Sequence, residues 1–190
     1  MDPVAESLLR AVVVPAWIAA GLADWWCHRR TAIAQTSGLR ENLFHWLLLA
    51  QAGVALVAAA LLEITAGVVL LALAAFLAHE ATTYVELRYT VPRREVRPGE
   101  QMVHSFMEIL PLVLVILLAV IGWPQVQALF GAGEADFGFR PKAQPWPAGW
   151  LLGAAAAVAV FNLLPMAEET LRCLRARPLR TRTPAPPAPR

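Results

Sequence analysis

The segment Glu41–Glu80, ENLFHWLLLAQAGVALVAAALLEITAGVVLLALAAFLAHE, decides how this chain folds. It holds two apolar runs, each about 20 residues long, the length a helix needs to cross roughly 30 Å of hydrocarbon. Only LEITAG, residues 62–67, separates them. A connection that short forces the second run to return beside the first, so the spacing predicts an antiparallel helical hairpin. The ends away from the turn carry Glu41 with His45 and His79 with Glu80. Carboxylates and imidazoles cost free energy at membrane depth, so these positions call for partners.

The same pattern extends outward through the 190 residues. The chain is 58% hydrophobic and 16% charged, well below the roughly 25% charged of a soluble domain. The sequence therefore predicts an all-α integral membrane protein with five transmembrane helices, over about 4–29, 40–62, 65–87, 100–122 and 147–167. Residues 1–174 form one transmembrane domain, and 175–190 read as a disordered, basic, Pro-rich tail. Pro15 is expected to kink the first span. Asp2 and Glu6, with no early basic cluster, make that span a retained helix rather than a secretory signal. Two cysteines, Cys27 and Cys173, are too few for a disulfide framework. There is no glycine-rich phosphate loop and no Ser/His/Asp signature, and nothing points to nucleic acid.

Basic residues set the expected orientation. Thirteen of sixteen fall after spans one, three and five, among them Arg29, Arg30, Arg88, Arg93 and Arg172. The excess of Lys and Arg marks the cytoplasmic side, which puts the N-terminus outside and the C-terminus inside, in a membrane read as the bacterial inner membrane. Trp123, Trp146 and Trp150 flank an outer loop and are assigned to the interface, as are Trp25, Trp26 and Trp46.

All four histidines lie in the first four spans, each with an acidic neighbour. Asp24 and His28, Glu41 and His45, and His104 and Glu108 are spaced i, i+4, which puts each pair on one helical face. His79 is followed by Glu80. Spans one and three end, and spans two and four begin, at the cytoplasmic face. Four antiparallel helices would therefore bring all eight groups to one depth. The first four spans are expected to form a bundle around a metal site built from Asp24, His28, Glu41, His45, His79, Glu80, His104 and Glu108. Glu86 is read as more exposed, Glu100 is left open, and Glu168 and Glu169 read as solvated among arginines. Span five reads as scaffold.

Imidazole with carboxylate suits two divalent metals, with iron preferred over zinc or manganese. Soluble di-iron bundles use a comparable set built on Glu-x-x-His pairs, whereas the spacing here is i, i+4 and the set is richer in histidine. The HxxxH and HxxHH boxes of membrane fatty-acid hydroxylases and desaturases are absent. The expected function is a metalloenzyme that hydroxylates or desaturates a lipid-like substrate in the bilayer, with Arg29, Arg30, Arg88 and Arg93 holding an anionic headgroup. A homodimer or an electron-donor protein is a further partner to consider. The alternatives are a zinc hydrolase of a lipid ester, amide or phosphate, a metal or proton transporter, a b-type cytochrome, and a packing cluster without chemistry.

Overall fold

The structure is a computed structural model and describes residues 3–176. Five helices are long and apolar enough to cross a membrane: α1 (Pro3–Arg30), α2 (Leu39–Leu61), α3 (Ala66–Thr90), α4 (Pro98–Ile121) and α6 (Ala148–Arg175). A short helix, α5 (Trp123–Leu129), follows α4. The span count agrees with the hydropathy pattern. The largest difference is at α6, which runs on to Arg175 instead of stopping near 167. Of the tail expected over 175–190, only Arg175 and Ala176 lie within the described residues.

Local chemistry explains the helix ends. The Thr65 hydroxyl accepts a hydrogen bond from the Val68 amide at 3.2 Å and caps α3. Pro98 opens α4, where its missing N–H costs nothing. Pro15 and Pro165 sit inside helices, and each deprives an upstream carbonyl of its donor. Each is immediately preceded by a wide π turn, over Leu9–Val13 and Ala159–Leu163, which absorbs the defect without ending the helix.

α2 lies against α3, α1 against α4, and α3 against α4. Small residues allow the close approach: Ala55, Ala59 and Ala72 are buried in one cluster with Leu9, Val13, Leu114 and Leu118. At the end where α2 turns into α3, an extended segment from the α5–α6 connection seals the hairpin. Lys142 donates its amide to the Leu61 carbonyl at 2.8 Å, and Gly67 donates to Asp136 at 3.1 Å. The Lys142 ammonium, 1% exposed, pairs with Glu6 at 3.2 Å. Trp146, assigned to the interface from sequence, is buried in the core against Trp150, whereas Trp123 is exposed.

A Cβ at Gly67 would stand 2.7 Å from the Phe137 carbonyl oxygen. Because backbone must give way, Gly67→Ala should destabilise the protein by about 1–3 kcal/mol. A thermal melt in detergent checks this, and an unchanged midpoint would contradict the seal.

α6 is packed unevenly. None of its first eleven residues, Ala148–Val158, is buried, whereas Asn162, Glu169 and Cys173 farther along are. The first half is therefore seated loosely, meeting the core through Trp150 and Leu151. The second half is clamped onto α1 and α2.

Candidate metal centre

Four helix ends meet at the end of the molecule opposite the Lys142 seal. α1 stops at Arg30, where Ala32 turns left-handed (φ 53°) and lets the chain reverse into α2. Residues 91–97 join α3 to α4. The last turns of α1 present Asp24 and His28. The first turns of α2 present Glu41, Asn42 and His45, and those of α4 present Glu100 and His104. Asp24, His28, Glu41, Asn42, His45 and Glu100 are buried, as is Glu169, which α6 adds to them.

His28 is the hub. Its Nδ1 is 3.0 Å from Glu169 Oε2, a hydrogen bond that fixes the ring. Its Nε2 makes no hydrogen bond, yet it faces Asp24 at 3.4 Å, Glu100 at 3.5 Å and Glu41 at 3.9 Å. The His104 Nε2 is 2.9 Å from the same Asp24 oxygen. His45 stacks on His28, with ring centroids 4.6 Å apart and planes 16° from parallel. Donor atoms of Asp24, His28, Glu100 and His104 all lie within 4.8 Å of one another, and so do those of His28, Glu41 and His45.

Sequence reasoning left one member of this cluster open, Glu100, and missed three. Glu100 precedes His104 by one turn and is 1% exposed. Glu169 is 2% exposed, which corrects its reading as solvated and that of the fifth helix as scaffold alone. Asn42 donates to Glu169 Oε1 at 2.9 Å and accepts from the Thr170 hydroxyl at 2.7 Å. Arg94, from the α3–α4 connection, puts one guanidinium nitrogen 2.5 Å from both Glu41 and Glu100. Burial works against its charge, but its bonds to Glu41 and Glu100 prevail and hold it above its ordinary range.

Compared with family models, curated proteins and solved structures, the chain matches none of them.

The remaining sequence candidates lie elsewhere. His79 is buried on α3, with Glu80 beside it at 3.7 Å. Neither Glu80 nor Glu108 belongs to the groups of converging donors around His28. Glu86, expected to be exposed, is buried and accepts from the Thr90 hydroxyl at 2.6 Å. Each headgroup arginine stacks on a ring: Arg29 on Trp25, Arg30 on Trp26, Arg88 on Tyr84 and Arg93 on Tyr89. Arg29 and Arg172 also pair with Glu168 at the rim, and Arg172 stands 3.7 Å from Glu169.

A cavity of about 520 Å³ runs from this cluster between α1, α2 and α6. Asp24, His28, His45 and Glu169 line one end of it, and Leu61 and Trp150 the other. His79 also lines the wall.

Proposed function

We propose that the chain is a membrane-embedded metalloenzyme that oxidises a lipid-like substrate at a His/carboxylate di-metal centre on the cytoplasmic side. The observation that carries this reading is the His28 Nε2. It is buried without a hydrogen bond and surrounded by three carboxylates, while Glu169 holds the opposite ring nitrogen. Metal-ligating histidines are commonly oriented by a carboxylate in this way.

Charge supports the same conclusion. Asp24, Glu41, Glu100 and Glu169 are four buried carboxylates; among the described residues Arg94 opposes Glu41 and Glu100 from within and Arg172 stands 3.7 Å from Glu169 at the rim, which leaves an excess of two negative charges while the imidazoles are neutral. Protonated histidines would supply the balance, but His28 and His45 are stacked face to face, and like charges so placed repel. A bound cation balances the cluster without that cost. Asp24, His28, Glu100 and His104 would hold one metal, and Glu41 and His45 would contribute to a second position beside it.

Iron at such a centre would supply oxygen activation. The chain's residues position the metals, exclude water and seat an apolar substrate in the adjoining cavity. The test is elemental analysis of protein purified in mild detergent without a chelating tag, with dioxygen uptake measured in the presence of a reductant. Two irons per chain with uptake support the reading. Zinc without uptake moves the reaction to hydrolysis of a lipid ester, amide or phosphate, and no metal after reconstitution removes the centre.

Glu169→Gln keeps the shape of the side chain but removes the charge behind His28. Metal affinity should fall about 10–100-fold, read by competition with a chelator. Unchanged affinity would free Glu169 from the orienting role.

A further inference from the structure

The cavity beside the cluster has a shape of its own. It follows α2 from His45 to Leu61, sixteen helical steps, which at the helical rise is about 24 Å, most of the roughly 30 Å depth of a bilayer's hydrocarbon. Its buried carboxylates, with His28 and His45, are gathered at one end; beyond them only His79 and Asn162 interrupt walls of Leu, Ala, Val, Ile, Met, Gly and Trp. Val57 and Leu61 line it and are also exposed, so it opens sideways between α2 and the loosely seated half of α6. It exists because no residue of Ala148–Val158 is buried.

We infer that this cavity seats one hydrocarbon chain of a membrane lipid, taken in sideways from the bilayer, with the chain's polar end at the His28 cluster. This inference rests on the reading above for the reaction but on the cavity alone for the ligand. The occupant is a lipid chain because the slot is apolar over most of its wall, parallel to the helices and open where lipid tails would be. One polar end fixes the chain's direction, and the carbons nearest the headgroup then lie against Asp24, His28 and His45.

A chain that leaves lipid for an apolar slot gains little from hydrophobic transfer, since both environments are hydrocarbon. Length is therefore selected by fit, as a cut-off rather than a gradient. Gly53 lies midway between His45 and Leu61 on the cavity wall, and a Cβ there meets nothing within 4 Å. Gly53→Phe would block the slot at half its length without disturbing a packed neighbour.

The experiment uses the full chain in phosphatidylcholine/phosphatidylglycerol vesicles. The probe is 1-hexadecanol, whose neutral hydroxyl the buried carboxylates do not repel, with a diazirine on its terminal carbon, and labelled residues are mapped by peptide mass spectrometry. Labelling is expected on Val57, Leu61 and Trp150, falling about tenfold in Gly53→Phe, a change equivalent to 1.4 kcal/mol. A 1-octanol probe with the same terminal diazirine should label both proteins equally around Leu49 and Ala52, which shows that the variant is folded. Equal hexadecanol labelling of the two proteins, or labelling no stronger than on the outward residues Leu77 and Ile116, would overturn the inference. Metal content is measured on the same samples. Metal-free protein that keeps the labelling pattern would retain the lipid slot and remove the metal centre, so the two failures are separable.

Discussion

His28→Ala should empty the centre, lowering metal affinity by more than about 100-fold, the upper end of what is lost when only an outer partner is removed. The reason is its position as hub. His28 is the one residue common to both groups of converging donors, and its ring joins Asp24, Glu41, Glu100 and Glu169. Elemental analysis of the purified variant gives the result. Glu80→Ala and Glu108→Ala are the informative controls. Reading the sequence alone makes both ligands, whereas their placement on the α3–α4 side predicts full metal content for each. His28→Ala with wild-type metal would refute the centre, and loss of metal in Glu108→Ala would restore the sequence's version of it.

Arg94→Met should have the largest effect on stability. The guanidinium sits 2.5 Å from both Glu41 and Glu100, with its side chain 2% exposed. Methionine fills similar space but leaves two buried carboxylates without their cation. Removing one partner of a buried ion pair costs about 3–5 kcal/mol, which for a chain of this size lowers the thermal midpoint by roughly 10 °C. The proposed function adds a second, more specific expectation. Because Glu41 and Glu100 are also the proposed ligands, a divalent metal should compensate their charge and recover about 2.7 kcal/mol at one hundred times its dissociation constant. Melts of metal-free and metal-loaded protein separate the cases. A loss that metal does not repair would make Arg94 and its carboxylates a packing device.

Much of this arrangement can be read from the residues themselves. The five spans follow from hydropathy, and Asp24/His28 and Glu41/His45 follow from spacing on a helix face. Glu100 was legible too, in a way that was passed over. In all three helices that feed the centre the acid comes first and the histidine one turn later, as in Asp24/His28, Glu41/His45 and Glu100/His104. Pairing His104 forward with Glu108 reversed that order, and Glu108 lies outside the groups of donors that converge on His28. Glu169 was harder, because Glu168 and Glu169 followed by arginines look like a solvated helix end. The sign against that is the absence of any breaker between Pro165 and Arg175, which lets the helix continue with Glu169 and Cys173 on one buried face. Arg94 carried no local signal. Its role comes from a loop folding across three helix ends, and no periodicity encodes that.

The uneven seating of α6 also sets an order of events. Ribosomes deliver α1 to α4 first, with the Asp24, His28, Glu41 and Glu100 side chains already in the membrane. Glu169, Asn42's partner Thr170 and the Trp25 contact to Glu168 arrive only with the last described helix. Until then His28 lacks the carboxylate that holds its ring. In order of synthesis the groups that lock His28 therefore come after the ones they lock, and a chain stopped before α6 would carry the buried acids and histidines without Glu169.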